Sequence, residues 1–101
     1  MAEHFRYDWD YAKAVANEAK HRISFQDGAT IFSREPQISI YDDSHSEDED
    51  RWVTMGWDDR GRLLAAVHTF EPISEHITLI RIISVRRATG SEARQFKELT
   101  A

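Results

Sequence analysis

The sequence predicts an α+β domain, a mainly antiparallel sheet with helices packed on one face. Three observations lead there. Apolar residues alternate with polar ones over several short segments, the period of half-buried strands. Two segments near the start and one at the end carry apolar residues at helical spacing instead. The resulting order, β-α-α-β-β-β-β-α, puts four strands in succession, joined by connections too short for crossover helices. The chain has 101 residues, enough to build one core, so residues 1–101 are read as a single domain.

Phe5-Arg6-Tyr7-Asp8-Trp9 alternates aromatic and polar side chains and reads as the first strand. Asp10 is placed to cap a helix from Tyr11 to Lys20, with Ala12, Val15, Ala16 and Ala19 on one face. Ser24 is a second N-cap, and Asp27 stands where a complete capping box has Glu. The helix it starts runs to about Ser33 and buries Phe25, Ala29 and Phe32 in part; Pro36 closes it off. Ile38-Ser39-Ile40-Tyr41 is a strand, and Asp42 to Asp50 is a loop too charged to bury. Arg51 to Trp57 and Arg62 to Phe70 form a hairpin around Asp58-Asp59-Arg60-Gly61. Glu71 to His76 connects to a strand from Ile77 to Val85, apolar on both faces at its start. Ser91 caps a last helix, Glu92 to Leu99, with Phe96 and Leu99 facing inward.

Composition narrows the function. The absence of cysteine excludes disulfides and thiolate metal sites and suits a reducing cytoplasm. No apolar run approaches the ~20 residues of a membrane helix, and Met1 to Asp10 is too polar and acidic for a signal peptide. The formal charge is −5, which disfavours indiscriminate nucleic-acid binding. The charge is segregated, however: Asp42, Asp43, Glu47, Asp48, Glu49 and Asp50 form an acidic block, and Arg81, Arg86, Arg87 and Arg94 lie near the other end. Local clusters decide what a small site binds.

No metal motif, glycine-rich phosphate loop or nucleophile elbow is present, which leaves acid–base chemistry on polar side chains. Arg81 sits inside an apolar strand and needs a carboxylate or an anionic ligand if buried there. His45, flanked by Asp43 and Glu47, is suited to proton exchange near neutral pH; the plain alternative is a solvated loop histidine. Glu49 and Arg51, two apart, share one side of an extended chain and could serve one cleft or form an edge ion pair. Lys20 and His21 end the first helix, where the helix dipole favours cations, and could reach a phosphate. Arg86 and Arg87 leave their strand on opposite faces, so one of them could join a cleft. Trp9, Trp52 and Trp57 could stack on bases or fill the core.

Taken together, three blocks resemble the BrnT family, ribonuclease toxins of type II toxin–antitoxin systems. The first is Trp9-Asp10, Lys13, Asn17, Lys20-His21, Ile23-Ser24-Phe25, Ala29 and Phe32. The second is Asp43, His45, Glu49, Arg51 and Gly56, with Gly61-Arg62-Leu63. The third, Arg81-Ile82-Ile83-Ser84 with Arg86, Ala88 and Glu92, matches best. The resemblance spans about Phe5 to Phe96. Arg22 stands where the family commonly has glycine, Val85 where alanine is usual, and Phe96 where tyrosine is frequent.

The resemblance implies a RelE-like fold, metal-free RNA cleavage without a cofactor, inhibited translation, and neutralisation by a BrnA-type antitoxin. Such an antitoxin usually has a ribbon-helix-helix part, so DNA is met only through it. On that basis Arg81 and Arg51 are expected to stabilise the phosphate. Glu49 or His45 is the expected base, with His45 also the candidate acid, and Arg86, Lys20 and His21 would hold flanking phosphates. The competing reading is a binding module that has lost catalysis and serves as antitoxin partner or co-repressor.

Overall fold

The structure, a computed structural model, describes residues 4–101. The expectation that the chain opens without a signal peptide falls partly on residues 1–3, outside the described residues. The strands are β1 (His4–Asp8), β2 (Gln37–Tyr41), β3 (Trp52–Trp57), β4 (Leu63–Pro72) and β5 (Ile77–Arg87). The helices are α1 (Tyr11–His21), α2 (Phe25–Ala29) and α3 (Gly90–Thr100). A 3-10 turn, Thr30–Ser33, continues α2, and another, Asp43–His45, lies in the acidic loop. Among the described residues the strands form one sheet in the order β1-β5-β4-β3-β2.

The β2–β3, β3–β4 and β4–β5 pairs are antiparallel, as hairpin connections require. β1 pairs with β5 in parallel, so the sheet is mixed. The two strands come from opposite ends of the sequence, and nothing local in either announces the pairing.

The helices lie on both faces of the sheet, which corrects the one-face expectation. Successive residues of β4 divide between two cores. Leu64 and Ala66 join Ile23, Phe25, Ile31, Phe32, Ile80, Ile82 and Val85 under α1 and α2. Ala65 joins Met55 and Phe96 under α3. These are called here the α1 face and the α3 face.

The register of β4 on β5 slips once: Val67 pairs with Ser84 but His68 with Ile82, leaving Ile83 as a bulge. A bulge moves all later side chains to the other face. Ile80 and Ile82 before it, and Val85 after it, therefore all enter the α1-face core. Gly28 sits so close to Val85 that a Cβ on it would lie 2.6 Å from a Val85 methyl carbon.

α1 is capped as expected, Asp10 accepting from the Lys13 N–H, but it is rotated relative to its sequence pattern. Ala14, Asn17 and His21 turn toward the protein, while Tyr11, Ala12, Val15, Ala16 and Ala19 are exposed. Asn17 fixes this orientation. Its amide nitrogen donates to the Val85 and Ile23 carbonyls, and its Oδ1 accepts from the Val85 N–H. The helix ends at Arg22, whose φ of 60° is left-handed, the conformation glycine adopts without strain.

Two further expectations are corrected. The last helix is capped by Thr89, not Ser91, in a complete capping box with Glu92. Leu99 faces outward, 71% exposed, while Phe96 is buried. The β3–β4 turn is tied down by the buried Asp58, which accepts from the Arg60 and Arg62 N–H groups and from the Arg62 guanidinium. Burial alone would raise the Asp58 pKa, but these donors prevail and hold it below the usual carboxylate range. Arg62 also bonds Asp27, joining the turn to α2.

Candidate active site

The α3 face is covered at one end by α3 and open at the other. Strand alternation places Arg51 with Val53 and Met55 on this face. Two adjoining depressions open there. One, of about 250 Å³, is lined by Ser44, His45, Glu47, Asp48, Glu49 and Arg51. The other, of about 300 Å³, has Ile40, Val53 and Met55 on its floor and Arg86, Glu92 and Gln95 on its α3 side. His45 borders both.

Each polar group here has a definite setting. His45 Nδ1 lies 3.1 Å from Asp42 Oδ2, so the ring is oriented by Asp42 rather than by the expected neighbours Asp43 and Glu47. Ser46 shapes the loop, donating to the Asp42 carbonyl and accepting from the Arg51 N–H. The Arg51 guanidinium is 3.8 Å from Glu49, a loose pairing, and its Nε is buried with no hydrogen-bond partner. A buried donor left unpaired costs ~1–3 kcal/mol.

Arg86 is held tightly. Its guanidinium bonds both Glu92 oxygens, at 2.7 and 3.0 Å, while Glu92 also accepts from the Thr89 N–H. The Arg86 hydrogen bond, above all, drives the Glu92 pKa down to about 2, and Glu92 in turn raises that of Arg86.

Arg81 is not buried. Its side chain is 47% exposed and bonds Asp8, its β1 register partner, at 2.9 Å. It nevertheless points to the α3 face, opposite Ile80 and Ile82. Its β4 partner is Thr69, and Thr69 adjoins the His68–Trp52 pair, so Arg51 and Arg81 flank Thr69 on one face. Their backbones are two strand spacings apart, about 10 Å. Arg81 and Arg86, five apart, would face opposite sides of an unbroken strand; the Ile83 bulge brings them to the same side.

Lys20 and His21 are elsewhere. They end α1 on the opposite face of the sheet and are not brought together with His45, Arg51 or Arg86. Of the tryptophans, Trp9 packs on Phe25 and Trp57 on Phe96, both core contacts.

Sequence reasoning missed two groups. In the sequence Asp42 is one carboxylate of the acidic block, and the signal that marks it out is its three-residue spacing from His45, which fits one turn of a helix. His68, fully buried on the α1 face, lies 2.6 Å from Thr54 Oγ1, and Thr54 reaches Ser39 in turn. Phe32 and Phe70 stand edge-on against its ring. Burial lowers the His68 pKa to about 4, so the ring is neutral and structural. Among the described residues, no group of three or more His, Asp or Glu side chains is set to hold a metal ion.

The family described as "Ribonuclease toxin, BrnT, of type II toxin-antitoxin system" matches residues 9–92. The chain is similar in structure to the crystal structure of the Brucella abortus ribonuclease toxin BrnT. The TM-score is 0.56 at 22% identity, over 85% of this chain and 99% of that one, a likeness of fold. No curated protein matches the chain.

Proposed function

The chain belongs to the BrnT family of ribonuclease toxins of type II toxin–antitoxin systems, and from that premise we propose that it is a metal-independent endoribonuclease that stops translation by cutting RNA. The observation that supports this best is the open depression in which His45, Glu49 and Arg51 meet. On this reading the fold is RelE-like, the toxin is cytoplasmic, and a BrnA-type, ribbon-helix-helix antitoxin neutralises it.

Cleavage uses the substrate's own 2′-hydroxyl. Glu49 takes the hydroxyl proton, and the 2′-oxygen attacks phosphorus. His45, oriented by Asp42, gives a proton to the departing 5′-oxygen, leaving a 2′,3′-cyclic phosphate. Arg51, with Nε unspent, stabilises the charge of the phosphorane; general acid–base help is worth about 10²–10⁴-fold, and one preorganised donor about 10²–10³-fold. Arg81 and Arg86 border the open face and hold neighbouring phosphates, exchanging part of their carboxylate pairing for the substrate. Lys20 and His21 have no place in this arrangement.

The test is cleavage of a short single-stranded RNA by purified protein, with and without chelator, alongside growth on induction. His45→Ala and Arg51→Ala, each folded by circular dichroism, are expected to lose about 10²-fold or more in rate and to stop arresting growth. Full activity in either variant removes that residue from the site, and loss of activity in chelator overturns metal independence. A wild-type chain that neither cuts RNA nor arrests growth, yet binds the product of the neighbouring reading frame, is instead a binding module.

A further inference from the structure

The apolar face of α1 points into solvent. Tyr11 is 81% and Val15 53% exposed, and Ala12, Ala16 and Ala19 beside them are exposed as well. At 100° per residue these five form one continuous stripe along the helix. A surface helix ordinarily turns such a stripe toward the core. Here the inward side is held instead by Asn17, bonded at three points to Val85 and Ile23, so the helix cannot roll to bury it.

We propose that the α1 stripe is the docking surface for an amphipathic helix of the antitoxin, which rests on the toxin–antitoxin reading above. The charges beside it argue for this occupant. Lys13 and Lys20, seven apart and both exposed, lie on the same flank of the stripe. An antiparallel two-fold pair of α1 helices would set that lysine flank against itself, so like charges oppose a second copy in that orientation; in a parallel pair Glu18, exposed on the other flank, would meet the lysines. A partner helix with an apolar seam and Asp or Glu on the matching edge meets both requirements. Ala12, Ala16 and Ala19 let it approach closely. The stripe rises only about 12 Å from Tyr11 to Ala19, too little for a whole stable interface of about 800 Å² a side. It fits one anchoring helix of a partner that continues over the surface. The stripe is on the face opposite His45, so docking there leaves the depression itself uncovered.

Val15→Glu tests this, because the side chain is outside the core and glutamate is a better helix former than valine. The probe is the purified product of the neighbouring reading frame, titrated onto full-length toxin by calorimetry. Val15→Glu is expected to weaken binding by about 30-fold or more while keeping the RNA cleavage rate and growth arrest of the wild type. Lys13→Glu should weaken binding and steepen with lower salt. Leu99→Glu, on exposed α3, should bind as the wild type does. Unchanged affinity in Val15→Glu overturns the proposal. So does a wild-type dimer that Val15→Glu dissociates with antitoxin affinity intact, for then the stripe belongs to a second copy. Failure of RNA cleavage in the wild type counts against the nuclease and leaves the binding comparison to decide the docking.

Discussion

At the scale of single residues, burial decides what each ionisable side chain does. His68 and His45 are the same chemistry in opposite settings. One is sealed beneath phenylalanines; the other stands at the junction of two open depressions. Local sequence separates them in part: His45 lies among serines and carboxylates in a charged loop, His68 between Val67 and Thr69 in a strand, but which face of the strand His68 takes is not local. The His68 pKa falls to about 4 in the folded state from 6.5 unfolded. A depressed pKa contributes stability that is complete above about pH 6.5 and lost as pH falls toward 4, about 3 kcal/mol in all. Urea unfolding across that range should therefore show a slope that His68→Gln removes, even if the variant is less stable throughout. A His68→Gln protein with the wild-type pH dependence would assign the slope to another group. Arg81 shows the reverse limit of sequence reading. An arginine in an apolar strand suggested a buried charge, but its side chain emerges on the open face beside Asp8. Its own position gave no sign of that carboxylate, which the parallel strand supplies.

At the scale of elements, most caps and turns are legible in the local sequence. Asp10 and Ser24 cap α1 and α2 as their types demand. The β3–β4 hairpin was legible from its turn residues, although the Arg62–Asp58–Asp27 network beneath it was not. α3 starts two residues before the expected position because Thr89 and Ser91 are both good caps; Glu92, three beyond Thr89, is what selects the first. Since Glu92 also grips Arg86, Glu92→Ala should cost α3 its box and loosen Arg86 together. A melting-temperature loss larger than that of Thr89→Ala, which removes a cap worth about 1 kcal/mol, is the expected result. Arg22 offers a change of opposite sign. Its left-handed backbone means Arg22→Gly should stabilise the fold by a few tenths to about 1 kcal/mol, measurable by chemical denaturation. Gly28→Ala should do the reverse, because the added carbon meets Val85 at 2.6 Å and a packed core yields poorly, at about 1–3 kcal/mol.

At the scale of the whole molecule, the sheet separates the proposed RNA site from the proposed docking surface. The His45–Arg51 depression lies on the α3 face, and the bare stripe of α1 on the other. Substitutions on the two faces should accordingly act independently: His45→Ala with Val15→Glu is expected to lose cleavage and antitoxin affinity by the product of the single effects. Coupling beyond about 0.5 kcal/mol would mean that the faces communicate. The types of the strands and α-helices and their whole order are readable from periodicity, but the assignment of helices to faces is not. That depended on β1 returning beside β5, a contact between chain ends, and on Asn17 overruling the apolar pattern of α1.

The bulge at Ile83 has a consequence for how this chain can tolerate change in length. Excising that one amino acid would restore an even rhythm to β5 and leave every other side chain on its present side, Ile82 and Val85 under α1 and Arg86 beside Glu92. Adding one more regular residue between Ile82 and Val85 without a second bulge would do the opposite, sending Val85 toward α3 and the guanidinium of Arg86 under α1. Position 83 is thus the place where a single-codon deletion should be borne best, and a soluble, cooperatively melting deletion variant is the expected result.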